Sequence, residues 1–194
     1  MATDLHGRRV LAIVTNYGVE QDELVVPLEH LRDAGALVTV AAETGDEIVT
    51  LVGDKNPGRR LTPDTTLDAV DTTGYGLLLV PGGTINADTL RLNERAVDIV
   101  TEFVSSKRPI AAICHGPWTL VEADALRGKQ LTSYGSLKTD VINAGGSWID
   151  QSVVRDDNHN WTLITSRDPD DLPDFLHQID VVLADHAPAE QPVY

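Results

Sequence analysis

Thiols are almost absent from this chain. Its one cysteine, Cys114, excludes any intrachain disulfide, so whatever chemistry it has is that of a free thiol. A lone cysteine most often serves as a small buried hydrophobe, and a functional assignment has to displace that reading. Long apolar runs are missing too, and no stretch approaches the roughly 20 residues of a membrane-spanning helix. The N-terminal MATDLHGRRVLAIVTNYG sets basic residues before a short apolar stretch, Val10 to Val14. That stretch is too short for a secretion signal and suits a first strand. A cytoplasmic protein with no membrane partner is expected, and without export the sequon Asn160-Trp161-Thr162 carries no weight. Lysine is scarce: four Lys and 11 Arg stand against 21 Asp and nine Glu, for a net charge of −15. Such a surface repels phosphate backbones, so nucleic-acid binding is disfavoured. The acidity fits a solvated acidic face, a high-salt cytoplasm or an arginine-over-lysine bias. HExxH, clustered His/Cys ligands and a P-loop are all lacking. Gly74-Tyr75-Gly76 precedes a strand rather than following one, which excludes a dinucleotide fingerprint. No metal and no cofactor are expected.

What is present describes an ordinary core. With 194 residues, 42% hydrophobic and 23% charged, the chain suits one sizeable domain over residues 1–194, its core at about 9–185 and a loose tail after about Ala187. Short apolar runs at 9–15, 37–42, 77–80 and 110–113 read as strands. Helical spacing appears at 20–34, where Pro27 could introduce a kink, and at 93–105, and a helix is expected from His115 to about Ala123. A small hairpin is expected around Ile48-Val52. Further on, a helix is expected near 136–144, strands near 152–154 and 161–165, and a last helix at about 170–185. Continuous apolar strands alternating with amphipathic helices indicate a parallel sheet covered on both faces.

In an open parallel sheet, functional residues gather at the carboxyl ends of the strands. Three candidates fall there: the turn before Glu20, Pro81-Gly82-Gly83 and Cys114-His115-Gly116. A cysteine between a strand and a helix occupies the position of a nucleophile elbow. The helix N-terminus favours its anionic form, so a thiol pKa well below the free value of about 8.5 is expected. The amide after the nucleophile can join one from Gly82-Gly83 as an oxyanion hole.

The stretch AAICHGPWTL resembles the nucleophile-elbow motif of the ThiJ/PfpI superfamily, within the class I glutamine amidotransferase-like fold. VEQDELVVPLEHLRDAGALVTVA is similar to that family's N-terminal segment, and LLLVPGG to its oxyanion-loop strand. LRLNERAVDIV, LRGKQLTSYGSLKTDVINAGGSWID and LITSRDPDDLPDF resemble the PfpI-like intracellular peptidase branch. The likeness covers about residues 9 to 185. It implies a three-layer α/β/α sandwich with a flavodoxin-like, mostly parallel sheet. It implies Cys114 as nucleophile, His115 as general base, and the backbone amides of Gly83 and His115 as the oxyanion hole. Glu20 is the matching buried acid, expected to lean on the sulfur in protonated form; the competing role for it is a helix-start carboxylate serving the dipole. In this branch an acid from a neighbouring subunit completes a Cys-His-acid triad, which implies a homodimer or a larger homo-oligomer such as a hexamer. The matching residue is Asp88, where the family usually has Glu, and its competing role is that of a surface residue near a helix start.

A C-terminal His-x-Glu pair, needed for amidotransferase activity, is absent: His177 and His186 are followed by Gln178-Ile179 and Ala187-Pro188. The resemblance therefore implies a cofactor-independent cysteine enzyme acting on small reactive carbonyls, in the manner of a glyoxalase III or a deglycase. The alternatives are an intracellular cysteine peptidase with a peptide substrate, and a redox-sensing chaperone with a reversibly oxidised Cys114.

Overall fold

The computed structural model describes residues 3–185; the tail expected after Ala187 lies outside the described residues. In chain order the elements are β1 (Arg9–Ile13), β2 (Tyr17–Glu20), α1 (Gln21–Asp33), β3 (Leu37–Ala42), β4 (Ile48–Val52) and β5 (Asn56–Leu61). They continue with β6 (Thr65–Thr66), β7 (Leu77–Val80), α2 (Thr84–Leu90), α3 (Glu94–Ser105), β8 (Ile110–Ile113) and α4 (Pro117–Glu122). The last are β9 (Gln130–Leu131), α5 (Lys138–Asn143), β10 (Ser147–Trp148), β11 (Val153–Asp156), β12 (Leu163–Ser166) and α6 (Leu172–Asp185).

Seven strands form the main sheet in the order β11-β12-β8-β7-β1-β3-β6. Every pairing is parallel except β11 with β12. Alternation along each strand splits the core in two. Val10 and Ala12 of β1, with Leu77 and Leu79 of β7, meet Leu24 and Leu28 of α1 and Phe175 and Ile179 of α6. Leu11 and Ile13, with Leu78 and Val80, meet Ile99, Val100 and Phe103 of α3 and Leu120 of α4. Both faces are therefore buried, which is why these strands read as unbroken apolar runs. This is the three-layer sandwich with a mostly parallel sheet that the sequence predicts.

Local chemistry sets the ends of several elements. The Asn93 side chain accepts the Ala96 N–H at 3.1 Å and starts α3. Pro117 stands in the first turn of α4, where its missing N–H is not needed. α1 continues through Pro27 as one helix. Two features go beyond the sequence reading. Residues 84–90 are too few for a periodic signal, yet they form α2 directly after the glycine pair. The expected hairpin, β4 with β5, gains β2 as a parallel third strand.

One buried ion pair ties the far edge of the sheet together. Lys129, 1% exposed, donates to Asp156 Oδ1 at 3.2 Å and to the backbone carbonyls of Asp156, Asn158 and Trp161. Its ammonium also sits 4.0 Å from the centre of the Trp161 ring. Removing one partner of such a pair strands the other charge and the carbonyls without donors. Lys129→Ala is expected to cost about 3–5 kcal/mol, measured as a fall in the denaturant midpoint.

Candidate active site

β1 is flanked by β3 on one side and β7 on the other, so the chain reverses its winding beside β1. The crevice of an open α/β sheet opens at such a point. The three expected segments converge there. Between β8 and α4 the chain turns through Cys114, His115 and Gly116. Cys114 takes φ 61, a left-handed conformation uncommon for a residue with a side chain. Such strain costs about 1–3 kcal/mol and persists where neighbours hold the residue. Here the Cys114 N–H donates to the Ser166 carbonyl at 3.0 Å, and its own carbonyl accepts the Tyr134 N–H at 2.9 Å. A Cβ on Gly116 would run into the carbonyl oxygens of Val80 and Ile113, so the elbow closes only around glycine.

His115 is the expected partner of the thiol. Its Nδ1 lies 3.1 Å from Cys114 Sγ and its Nε2 lies 3.3 Å from Ser136 Oγ. Its ring stacks on Tyr134 with centroids 4.8 Å apart, and Trp118 closes the other side at 5.2 Å. Burial pushes the imidazole below its ordinary pKa, against a weaker upward pull from Asp54. The ring is therefore neutral at pH 7 and able to accept a proton. The amides of Gly83 and His115 both hydrogen-bond the sulfur. Donors so placed suit an oxyanion formed on a carbon bonded to that sulfur.

The acid on the sulfur is Glu23, and the expectation for Glu20 is corrected. Glu23 is fully buried, its Oε2 accepts the Gly82 N–H at 2.8 Å, and its carboxyl hydrogen-bonds Cys114. A Cβ on Gly82 would stand 2.7 Å from Glu23 Oε2 and 2.8 Å from Cys114 Cβ, wedged between acid and nucleophile. Glu20 ends β2 ahead of α1 and turns toward the cleft instead, where its Oε2 accepts the Asp54 N–H at 3.2 Å. It makes no side-chain cap bond to the helix. Burial raises its pKa, against the amides of Gly53 and Asp54. The helix phase decides between the two: Glu23 lies on the buried stripe with Leu24, Pro27 and Leu28. A charged residue on an otherwise apolar stripe was the signal in the sequence. Asp54, Tyr134 and Ser136 carried no signal at all.

The thiol also departs from the expected low pKa. Burial, then the charge of Glu23, push Cys114 above its ordinary value, against the pull of the two amides. Burial likewise raises Glu23, to about 8, and repulsion from Glu20 and Asp54 adds to it. Two acids in contact cannot both ionise, so at neutral pH the pair holds at least one proton. His115 Nδ1, 3.1 Å from the sulfur, is placed to take that proton.

These groups face a cleft of about 460 Å³, lined also by Asp22, Asp54, Thr84 and Asp168. Asp54 accepts the Thr84 N–H at 2.9 Å and its hydroxyl at 2.6 Å, which fixes the start of α2. Asp88 lies exposed on α2, outside the cleft lining, and the group on His115 Nε2 within one chain is Ser136.

A cysteine raised on a strand-to-helix elbow, with a neighbouring imidazole and a buried carboxyl on its sulfur, defines a class of thiol-centred α/β proteins. Residues 8–180 carry the match that places this chain in it: the protein belongs to the DJ-1/PfpI family. It is 38% identical over 160 residues to deglycase PfpI of Pyrococcus furiosus, covering 82% of this chain and 90% of that protein. It is 37% identical over 166 residues to protein/nucleic acid deglycase 2 of Escherichia coli, covering 85% and 92%. The crystal structure of Drosophila melanogaster DJ-1beta superposes with a TM-score of 0.81 at 31% identity, covering 92% of this chain and 91% of that one. Among the described residues no helix is long and apolar enough to cross a membrane.

Glu23 provides a test that needs no substrate. Its folded pKa lies above the unfolded value of 4.5, so between about 4.5 and 8 the folded state binds more protons than the unfolded one. Stability from the neutral carboxyl is thus full below about pH 4.5 and lost as pH rises through about 8. Glu23→Gln removes this titration. Relative to Glu23→Gln, the wild type is expected to lose on the order of a few kcal/mol between pH 5 and pH 8.5. Parallel slopes for the two proteins in denaturant titrations would mean that Glu23 is already ionised in the fold.

Proposed function

We propose that the protein is a cofactor-independent cysteine enzyme that removes early adducts of reactive dicarbonyls, as the names of its deglycase relatives suggest. The observation that carries this reading is the 3.1 Å approach of Cys114 Sγ to His115 Nδ1, with the amides of Gly83 and His115 on the same sulfur. An aldehyde carbon entering the cleft takes the sulfur, and the thiol proton passes to His115. The resulting oxyanion lies against the two amides and is reprotonated to a hemithioacetal. For a methylglyoxal unit, the imidazole then moves a proton from C1 to C2 through an enediol, giving a lactoyl thioester with no net oxidation. Water cleaves the thioester to lactate and the free thiol, so each methylglyoxal unit consumes one water. In an early adduct the same carbon carries the amine, guanidine or thiol; that group leaves with a proton as the aldehyde re-forms, the same steps follow, and lactate and the restored group are the products. Incubation with methylglyoxal adducts of N-acetylated amino acids is expected to release lactate, and Cys114→Ser to lower that rate by at least about a thousandfold. Lactate release that persists in Cys114→Ser would remove the thiol from the chemistry.

In this reading the working unit is an assembly of at least two copies, in which Asp88 of one chain approaches His115 of the next. What supports it is the surface around α2, where exposed Asp88 lies in a segment that also exposes the apolar side chains of Ile85, on the helix, and Leu92, just beyond its end. The one-methylene-shorter Asp then acts through the orientation of His115, as triad acids do. Sedimentation at micromolar concentration is expected to show a dimer or larger species. A monomer with full activity would take Asp88 out of the site.

A further inference from the structure

Among the described residues the cleft lining holds five carboxyl residues, Glu20, Asp22, Glu23, Asp54 and Asp168, and not one Lys or Arg. Resting on the carbonyl-adduct reading, we propose that this cleft selects substrates with a guanidinium or ammonium group beside the reacting carbonyl, and that Asp22 and Asp168 determine this specificity.

The five carboxyls do not have equal freedom. Glu23 is committed to the sulfur and to Gly82, and no nitrogen or oxygen donor reaches its Oε1. Glu20 is held by the amide of Asp54, and both oxygens of Asp54 are held by Thr84. Asp22 and Asp168 remain, half-buried and anchored through Oδ1 only, by Gln21 Nε2 at 3.2 Å and by the Asp170 N–H at 3.1 Å. Among the described residues their Oδ2 atoms have no donor. The nearest guanidinium in sequence, Arg167, does not neutralise Asp168, because Asp150 and Asp171 hold it at 2.8 to 2.9 Å.

Carboxylates crowded into a half-enclosed cleft repel one another, and the raised pKa values of Glu20 and Glu23 register that repulsion beside burial. A cation entering relieves it and finds two open acceptors, whereas an anionic carbonyl adds to it. Clefts lined with one sign of charge concentrate the opposite ion and hasten its encounter. Adducts on arginine and lysine side chains, and on residues flanked by them, supply the required charge. Carboxylate- or phosphate-bearing carbonyls do not.

Cys114, as the sole cysteine, lets the field be read without any turnover. Methanethiosulfonate reagents that differ chiefly in charge, trimethylammonium-ethyl against sulfonato-ethyl, each transfer their alkylthio group to the sulfur as a mixed disulfide and release methanesulfinate. The neutral methyl reagent reports accessibility. At low salt the cation-to-anion rate ratio at native Cys114 is expected to exceed the ratio at N-acetylcysteine by about tenfold or more, and to collapse in molar salt. The double variant Asp22→Asn/Asp168→Asn is expected to lower the ratio severalfold. The double variant Glu94→Gln/Asp98→Asn, an equal loss of charge at two exposed positions of α3, is expected to leave it unchanged. A native ratio equal to that of the free thiol, or one insensitive to salt, would overturn the proposal without any variant. An equal effect of Glu94→Gln/Asp98→Asn would overturn it as well, by assigning the field to the whole acidic surface. Lactate release from adducts is scored separately, so a failed activity and an unselective cleft are distinguishable.

Discussion

At Cys114 the backbone has to leave a fully buried strand and lift a thiol above the sheet within three residues. It does so by a left-handed turn that a residue with a side chain adopts only at a cost. Several other features serve that turn. Gly116 lets the descending chain pass the Val80 carbonyl, Ser166 and Tyr134 hold the Cys114 amide and carbonyl, and Pro117 starts the helix at once. β12 supplies Ser166 because it lies parallel to β8 in register, with Ile113 opposite Ser166. The geometry of the nucleophile is thus set by sheet pairing more than by the residues next to it in sequence.

Proton placement follows from the same geometry. The turn drives the sulfur down toward Glu23, which the first turn of α1 holds out of water. A buried carboxyl and a buried thiol in contact keep a proton between them, and the imidazole beside them is kept neutral by its own burial. The geometry suits a latent nucleophile, with His115 Nδ1 within reach of the thiol proton and two amides at the sulfur. Tyr134 and Trp118 lie on either side of the ring and hold its plane.

The family likeness bears on these points unequally. The fold is shared with DJ-1beta of Drosophila melanogaster at 31% identity, and the sequence with deglycase PfpI at 38%, each over most of the chain. Asp54 both braces α2 and contributes charge, through a loop residue that itself adopts φ 57.

Some of this was written plainly in the sequence. Apolar runs buried on both faces announce parallel strands, and β3, β7 and β8 begin and end where those runs do, because turn residues bound them. A lone cysteine between a strand and a helix, with Gly and Pro close behind, announced the elbow. Composition and local period cannot report phase between elements. Glu20 and Glu23 are three residues apart at the head of one helix, and only the rotation of α1 against the sheet decides which meets the sulfur. The thiol's charge state is hidden from local sequence for a related reason: local sequence shows a helix N-terminus and a histidine, whereas burial and an opposing carboxyl come from distant chain. Asp54, Ser136 and Tyr134 reach the site through loops, whose course no periodic pattern encodes. The sequence by itself determined the sheet, the elbow and the excess of negative charge. Tertiary structure alone decided which carboxyl holds the sulfur and which ones face the cleft, because those choices depend on helix rotation and on contacts between residues far apart in the chain.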